Sequence, residues 1–490
     1  MNPARGAAAF AAGAASVLGY APIGAWPLTL AAFSVLLHLW GTAATPRAAA
    51  LAGFLFGLGQ FGFGVSWVYI SLTRFGGMPA PIGVIATTGF CVVLALYPAA
   101  AGALQARLRV GPALRAMLLA PAAWVLLERG RGWLLTGFPW LNAGDAAIDT
   151  PLAGFAPVGG LSLVSLAVLV AAGALACLVA GHARRVAGAV LVGLIACGAL
   201  LRLPAWTTPE GGPLAVALLQ GNVPQEMKFD RQRYAETLET YARLAEGTRA
   251  RLIVLPETAL PGFLERIDPA YLGRLEAAAK RNQGDLLVGV PVRDSATRYT
   301  NSVLSLGSAP RQRYDTAHLV PFGEFIPPGF DWVLRLLSIP LSDFTAGATD
   351  QAPLALAGQR VAVNICYEHA YGAAIARTLP QASLLVNVSN VAWFGDSLAP
   401  AQHMAIARMR ALETGRMLLT ATNTGITAVI NHDGEVVARL PQFVEGRLEA
   451  VVQGRRGATP YVRLGDALAL AVCALFVLLA FAQARRAQSR

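Results

Sequence analysis

Charge is what this chain has least of. Only 14% of its 490 residues are Asp, Glu, Lys or Arg, against about 25% in ordinary soluble proteins, and that shortfall argues against a chain folded wholly in water. Lysine is scarcer still: Lys228 and Lys280 are the only two, so a site needing a lysine has two candidates. Of five cysteines, Cys91, Cys177, Cys197 and Cys473 fall inside apolar runs, where they read as small packing residues. Cys366 stands alone in the polar part of the chain. With no even set of cysteines outside the apolar runs, a disulfide framework is excluded. No metal and no cofactor is expected.

What is abundant is apolar sequence, 55% of the chain. Eight segments reach or approach the roughly 20 residues that span a bilayer: about 6–22, 24–40, 48–72, 80–105, 113–128, 157–181, 186–203 and 461–484. The net charge of +11 would suit nucleic acid, but its placement does not. Arg5, Arg47, the group Arg107, Arg109 and Arg115, the pair Arg184 and Arg185, and the tail Arg485, Arg486 and Arg490 fall in alternate gaps between spans. Arg74, Arg129 and Arg131 oppose them and are fewer. This is the positive-inside pattern, with both termini cytoplasmic. It divides the chain into 1–212 with seven spans, an outward-facing stretch 213–455, and 456–490 with the last span. The expected location is a bacterial inner membrane, crossed several times, with 213–455 in the periplasm.

The outer stretch alternates strands with helices. Strands are expected at 214–219, 252–255, 286–292, 300–306, 361–365, 383–388 and 417–422, and helices at 231–246, 270–281 and 401–415. A hairpin is expected at 426–438, turning on Asp433-Gly434. That pattern means an α/β domain, with linkers at 204–213 and 454–460. Two reactive groups follow strands: Glu257 in LIVLPETALPG and Cys366 in VAVNICYEHAYG. Strand C-terminal ends are where α/β sites gather. A thiol, only a few per cent thiolate at neutral pH, needs a neighbouring base. Each residue also has a plainer reading, Cys366 as a packed thiol and Glu257 or Glu368 in a first helical turn; together they point to a site.

The stretches LIVLPETALPG, YDTAHLVPFGEFIP (314–327), NICYEHAYG and VNVSNVAWFGDSLAPAQH, in that order, resemble the nitrilase (carbon–nitrogen hydrolase) superfamily. With the flanking spans, and with SWVYIS, TGFPWLNAG and QGNVPQEMKF, nearly the whole chain resembles the apolipoprotein N-acyltransferase family. The resemblance implies a membrane α-helical bundle of about eight spans carrying an α/β nitrilase-like αββα sandwich. It implies transfer of an acyl chain from a phospholipid donor to the N-terminal cysteine amine of a diacylglyceryl apolipoprotein, with membrane lipids as surroundings and no nucleic acid. Carried over by position, Glu257 is the general base and Cys366 the nucleophile that forms a thioester. Glu324, Tyr367 and Glu368 support them, and Trp393 and Phe394 lie in a loop nearby.

One position departs from that family's pattern. Its catalytic lysine falls where this chain has Thr316. Neither Lys228 nor Lys280 is at that place, and both read as surface residues. Losing one oxyanion donor typically costs about a hundred- to a thousandfold in rate. Thr316 retains a hydroxyl, and His318 and Arg313 are near in sequence; His318 reads first as a structural residue. The apolar stretch 330–344, with Trp332, is either a core helix or an amphipathic lid in the membrane interface. Two other functions stay open: a membrane-tethered amidase using water as acceptor, and a weakened or non-catalytic lipid- or lipoprotein-binding relative, for which Thr316 is the argument.

Overall fold

The computed structural model describes residues 2–225, 231–327 and 343–488. Contacts divide the chain into two compact units: residues 1–69, 80–205 and 463–490, and residues 70–79 with 206–462.

The first unit is helical. Among the described residues four helices are long and apolar enough to cross a membrane: Ala80–Ala106, Pro151–Ala180, Arg184–Leu201 and Ala467–Ala487. A fifth follows if Pro46–Gly64 and Trp67–Phe75, bent by 50°, are taken together. The eight expected spans are therefore not all present as helices of that kind. Segment 6–22 is an α-helix over Pro3–Ser16 and then a 3₁₀ turn over Val17–Gly19, 24–40 gives the 16-residue helix Trp26–Gly41, and 113–128 is interrupted by a π-helical turn at Arg115–Leu119. Short stretches and internal prolines limit these elements. Small residues let the helices approach closely: a Cβ on Gly53 would lie 2.3 Å from the Pro98 carbonyl oxygen. Between the helices Phe33, Phe56 and Trp124 form an aromatic cluster, with centroids 5.0–5.9 Å apart.

The second unit is a sandwich of two six-stranded sheets. The first sheet holds β1 (Thr208–Gln220), β2 (Leu252–Val254), β3 (Asp285–Arg293), β4 (Tyr299–Gly307) and β5 (Arg313–Asp315), with β12 (Gly446–Arg456) beside β1. The second runs from β6 (Leu354–Leu356) through β7 (Gln359–Ile365), β8 (Leu384–Ser389), β9 (Leu418–Thr422) and β10 (Ala428–Ile430) to β11 (Val436–Arg439). In each sheet three neighbouring strands are parallel, β1–β2–β3 and β7–β8–β9.

Alternation of side chains along the strands makes the layers. Val216, Leu218, Val254, Leu287 and Val303 of one sheet meet Val361, Val363, Ile365, Val386, Val388 and Leu419 of the other in a common core. The opposite face of the first sheet buries Ile253, Leu286 and Val288 against Tyr241 and Leu244 of helix Arg231–Glu246 and Leu272 and Leu275 of helix Pro269–Arg281. The opposite face of the second buries Leu385 and Leu418 against Ile375 and against Met404 and Ala407 of helix Ala399–Thr414. The result is αββα. Each fully buried Val or Leu is worth about 1.5–3 kcal/mol, so polar side chains facing inward on such strands mark positions held for another purpose.

Candidate active site

Two strand ends carry the reactive groups. After β2 the ladder continues for one residue, Leu255 N–H donating to the Leu287 carbonyl at 2.8 Å. Pro256, without an N–H, ends it, and Glu257 follows at the turn. The turn presses on β3: a Cβ on Gly289 would stand 2.5 Å from the Pro256 carbonyl oxygen and 2.7 Å from Glu257 Cα. Glycine there is what lets Glu257 sit against the sheet. After β7, Cys366 adopts φ +49°, a left-handed conformation sparsely populated by non-glycine residues, and a 3₁₀ turn spans Cys366–Ala370.

These ends bring Cys366 and Glu257 together. The thiol hydrogen-bonds to the Glu257 carboxylate. The backbone N–H of Asn390, just after β8, donates to Glu257 Oε2 at 2.6 Å and also to the thiol sulfur. Asn301 Nδ2, on β4, donates to Glu257 Oε1 at 2.8 Å and to Glu324 Oε1 at 2.9 Å. Burial, and then the charges of Glu257 and Glu324, push the Cys366 thiol well above its ordinary pKa, while the Asn390 N–H pulls it down.

Glu368 fastens the turn. It accepts from the backbone N–H groups of Ile365 (2.7 Å), Ala317 (2.8 Å) and His318 (3.1 Å) and from the Tyr314 hydroxyl (2.9 Å). Four donors fill a carboxylate's acceptor sites. They oppose burial, which raises its pKa to about 7. Glu368 thus ties stretch 314–318 to the turn that bears Cys366.

A second set of polar groups fixes the cysteine main chain. Asn387 Nδ2 donates to the Cys366 carbonyl at 3.1 Å and to Asn364 Oδ1 at 2.6 Å, and Ser389 Oγ donates to Asn387 Oδ1 at 2.6 Å. A ring N–H of His403 also donates to the Cys366 carbonyl. Burial pushes His403 down to about 3 and lowers its neighbour His369, 3.8 Å away between ring centroids, so both rings are neutral.

The structure therefore joins Glu257, Cys366, Glu324 and Glu368. Thr316 is only 2% exposed. Its hydroxyl and its N–H both donate to the Asn301 carbonyl, at 3.1 and 2.9 Å, so the hydroxyl is occupied in holding β5 to β4. Arg313 is engaged by Asp294 and Asp315. The His318 ring lies tilted against that of Tyr371, centroids 3.7 Å apart, with Tyr367 beside both. Trp393 lies edge-on to Phe75 at 6.2 Å, and its carbonyl accepts from Ser71 Oγ at 2.8 Å; Phe394 is next to it in the same turn. Lys280 pairs with Glu276 on a helix surface. Trp332 and Lys228, and nearly all of the stretch 330–344, lie outside the described residues. Among the described residues no cluster of His, Cys, Asp or Glu suits a metal ion.

Sequence reading missed Asn301, Asn390, Tyr314, Asn387, Ser389 and His403. A signal was present for two of them. In LLVNVS every position is buried, yet Asn387 and Ser389 interrupt an apolar strand two residues apart, on one face.

Residues 12–174 match the model of the apolipoprotein N-acyltransferase N-terminal domain, and residues 215–461 match that of the carbon-nitrogen hydrolases. An apolipoprotein N-acyltransferase of Nitrosomonas europaea is 48% identical over 96% of this chain and 96% of its own length. One from Methylococcus capsulatus is 45% identical, over 96% and 93%. Among solved structures, a carbon-nitrogen hydrolase from Helicobacter pylori G27 aligns with 49% of this chain and 89% of its own, at 18% identity and a TM-score of 0.38.

Proposed function

As the chain belongs to the apolipoprotein N-acyltransferase family and is an acyltransferase of that type, we propose that it moves a fatty acyl chain from a phospholipid to the N-terminal amine of a diacylglyceryl-cysteine apolipoprotein, by way of a thioester on Cys366. The observation that carries this reading is the Cys366 thiol hydrogen-bonded to the Glu257 carboxylate beside the Asn390 N–H.

In the first half-reaction Glu257 takes the thiol proton as sulfur attacks the donor ester carbonyl. The tetrahedral oxyanion collapses, the thioester forms, and the expelled lysophospholipid alkoxide takes the proton back from Glu257. In the second, the apolipoprotein amine attacks the thioester and gives its proton to Glu257. The amide forms, and the departing thiolate recovers that proton. One base serves both halves because each passes a single proton between sulfur, Glu257 and the substrate heteroatom. Asn301 and Asn390 orient Glu257; Glu368, Asn387 and His403 orient Cys366. With Thr316 committed to the Asn301 carbonyl, the site works without the lysine of the family pattern and is slow rather than unable to bind lipid.

Both substrates are lipids, so the enzyme works at a membrane. Residues 1–212 and 456–490 supply about eight crossings, and residues 213–455 face the periplasm of a bacterial inner membrane; the arginine placement supports this orientation. Trp393 and Phe394 suit contact with acyl chains. Reconstitution in phospholipid with a diacylglyceryl lipopeptide tests the reaction. Mass spectrometry should find one further acyl group on the peptide amine. Release of free fatty acid without amide formation would favour hydrolysis instead.

A further inference from the structure

Glu257 and Glu324 share one side-chain amide. Asn301 Nδ2 has two hydrogens, and each goes to a different carboxyl group, at 2.8 and 2.9 Å. Asn301 is 2% exposed. Glu324 keeps some exposed surface, but both its carboxyl oxygens turn inward, Oε1 to Asn301 and Oε2 to the Val320 N–H at 2.8 Å. Among the described residues, the ionisable groups facing it are Glu257 from the turn after β2 and Cys366 and Glu368 from the turn after β7; β4 contributes Asn301 and its own loop the Val320 amide. Every ionisable member of that set is an acid. Two carboxylates held on one amide away from water repel each other, and such a pair retains a proton.

The hydrogen bonds say which member retains it. Glu257 accepts three hydrogen bonds, from Asn301, from the Asn390 N–H and from the thiol. Glu324 has fewer donors; burial, and then the charge of Glu257, raise its pKa to about 8. We propose that Glu324 is the protonated partner of this pair, a neutral carboxylic acid at neutral pH that limits the Glu257–Glu324 pair to one negative charge, and that its ionisation switches acyl transfer off.

The consequence follows from charge balance and rests on Glu257 as base and Cys366 as nucleophile. When Glu257 takes the thiol proton, its charge passes to the substrate oxyanion, so no negative charge is added. A second negative charge on Glu324 would oppose both the thiolate and the oxyanion. Glu324 is thus a positioning residue, acting through the field at Glu257 and sulfur. Its raised pKa fixes the sign: neutral and permissive below about 8, charged and inhibitory above.

The test uses the full-length protein in mixed phosphatidylethanolamine–phosphatidylglycerol vesicles, following acylation of Cys366 against pH for the native protein, Glu324→Gln and Glu324→Ala. The native rate should be level through neutral pH and fall by roughly tenfold per pH unit above about 8. Glu324→Gln, neutral at every pH, should be more active than Glu324→Ala and lose that alkaline fall. Infrared difference spectra between native protein and Glu324→Gln should show a protonated carboxyl band at neutral pH that disappears on the same titration. Glu324→Gln as inactive as Glu324→Ala, an alkaline fall that survives in Glu324→Gln, or no protonated band would overturn the proposal. A protonated band with no acyl group on Cys366 would uphold the proton on Glu324 and overturn the nucleophile instead.

Discussion

The backbone N–H of Asn390 serves Glu257 and Cys366 at once, reaching Glu257 Oε2 at 2.6 Å and the thiol sulfur beside it. A main-chain donor from the end of β8 thus bridges base and nucleophile, which come from the ends of β2 and β7.

That closeness has a counterintuitive effect on the free thiol. Glu257 accepts its proton yet also raises its pKa through charge. Replacing Glu257 by Gln removes the base and the charge together. Acyl transfer should be lost, while the midpoint for alkylation of Cys366 by iodoacetamide moves to lower pH. The pH dependence of alkylation, read by mass spectrometry at Cys366, decides; an unchanged or higher midpoint contradicts this electrostatic account.

Thr316→Lys should raise the acylation rate by about a hundredfold at similar apparent substrate affinity, since an ammonium there would favour the thiolate and the oxyanion. Arg313, held by Asp294 and Asp315, is not placed to compensate, so Arg313→Ala should leave the rate nearly unchanged. Single-turnover acylation measures both. Equal rates in native protein and Thr316→Lys would mean that Thr316 is not what limits the enzyme.

Much of the catalytic unit was legible in its sequence because its strands and helices have clean periods. Helix Arg231–Glu246 has the expected ends, and the reactive residues follow β2 and β7 as the apolar runs LIVL and VAVNI required. β12 was not legible. Charged and polar residues, Arg447, Glu449 and Gln453, alternate through this edge strand, and its apolar face is too thin to show a period. β5 and β6 were hidden by being three residues long. Among the site residues, Glu257 and Cys366 stood out as lone reactive groups at strand ends. Asn301 and Asn390 did not, because an asparagine reveals its role only through what it bridges, and those partners are distant in sequence.

Glu368→Gln should destabilise the catalytic unit. An amide keeps one acceptor oxygen and turns an NH₂ group toward N–H donors that a carboxylate satisfies, at about 1–3 kcal/mol for the unpaired groups. Tyr314→Phe removes one of the four hydrogen bonds and should cost about 1 kcal/mol. Thermal unfolding of the detergent-solubilised protein should show the larger drop in Glu368→Gln. A larger drop in Tyr314→Phe would show that Glu368 is not the clamp.

The periplasmic placement of residues 213–455 has its own check. Asp433, exposed in the turn between β10 and β11, is replaced by cysteine in a Cys366→Ala background. An impermeant thiol reagent should label it on intact spheroplasts. Labelling only after lysis would reverse the orientation.

The most direct measurement of the central claim is the mass of the protein after incubation with phospholipid alone, without an acceptor. The account expects one added acyl group, located on Cys366 by peptide mapping, removed by hydroxylamine and absent from Cys366→Ala. An acyl group that persists in Cys366→Ala, or one on any other residue, would contradict it.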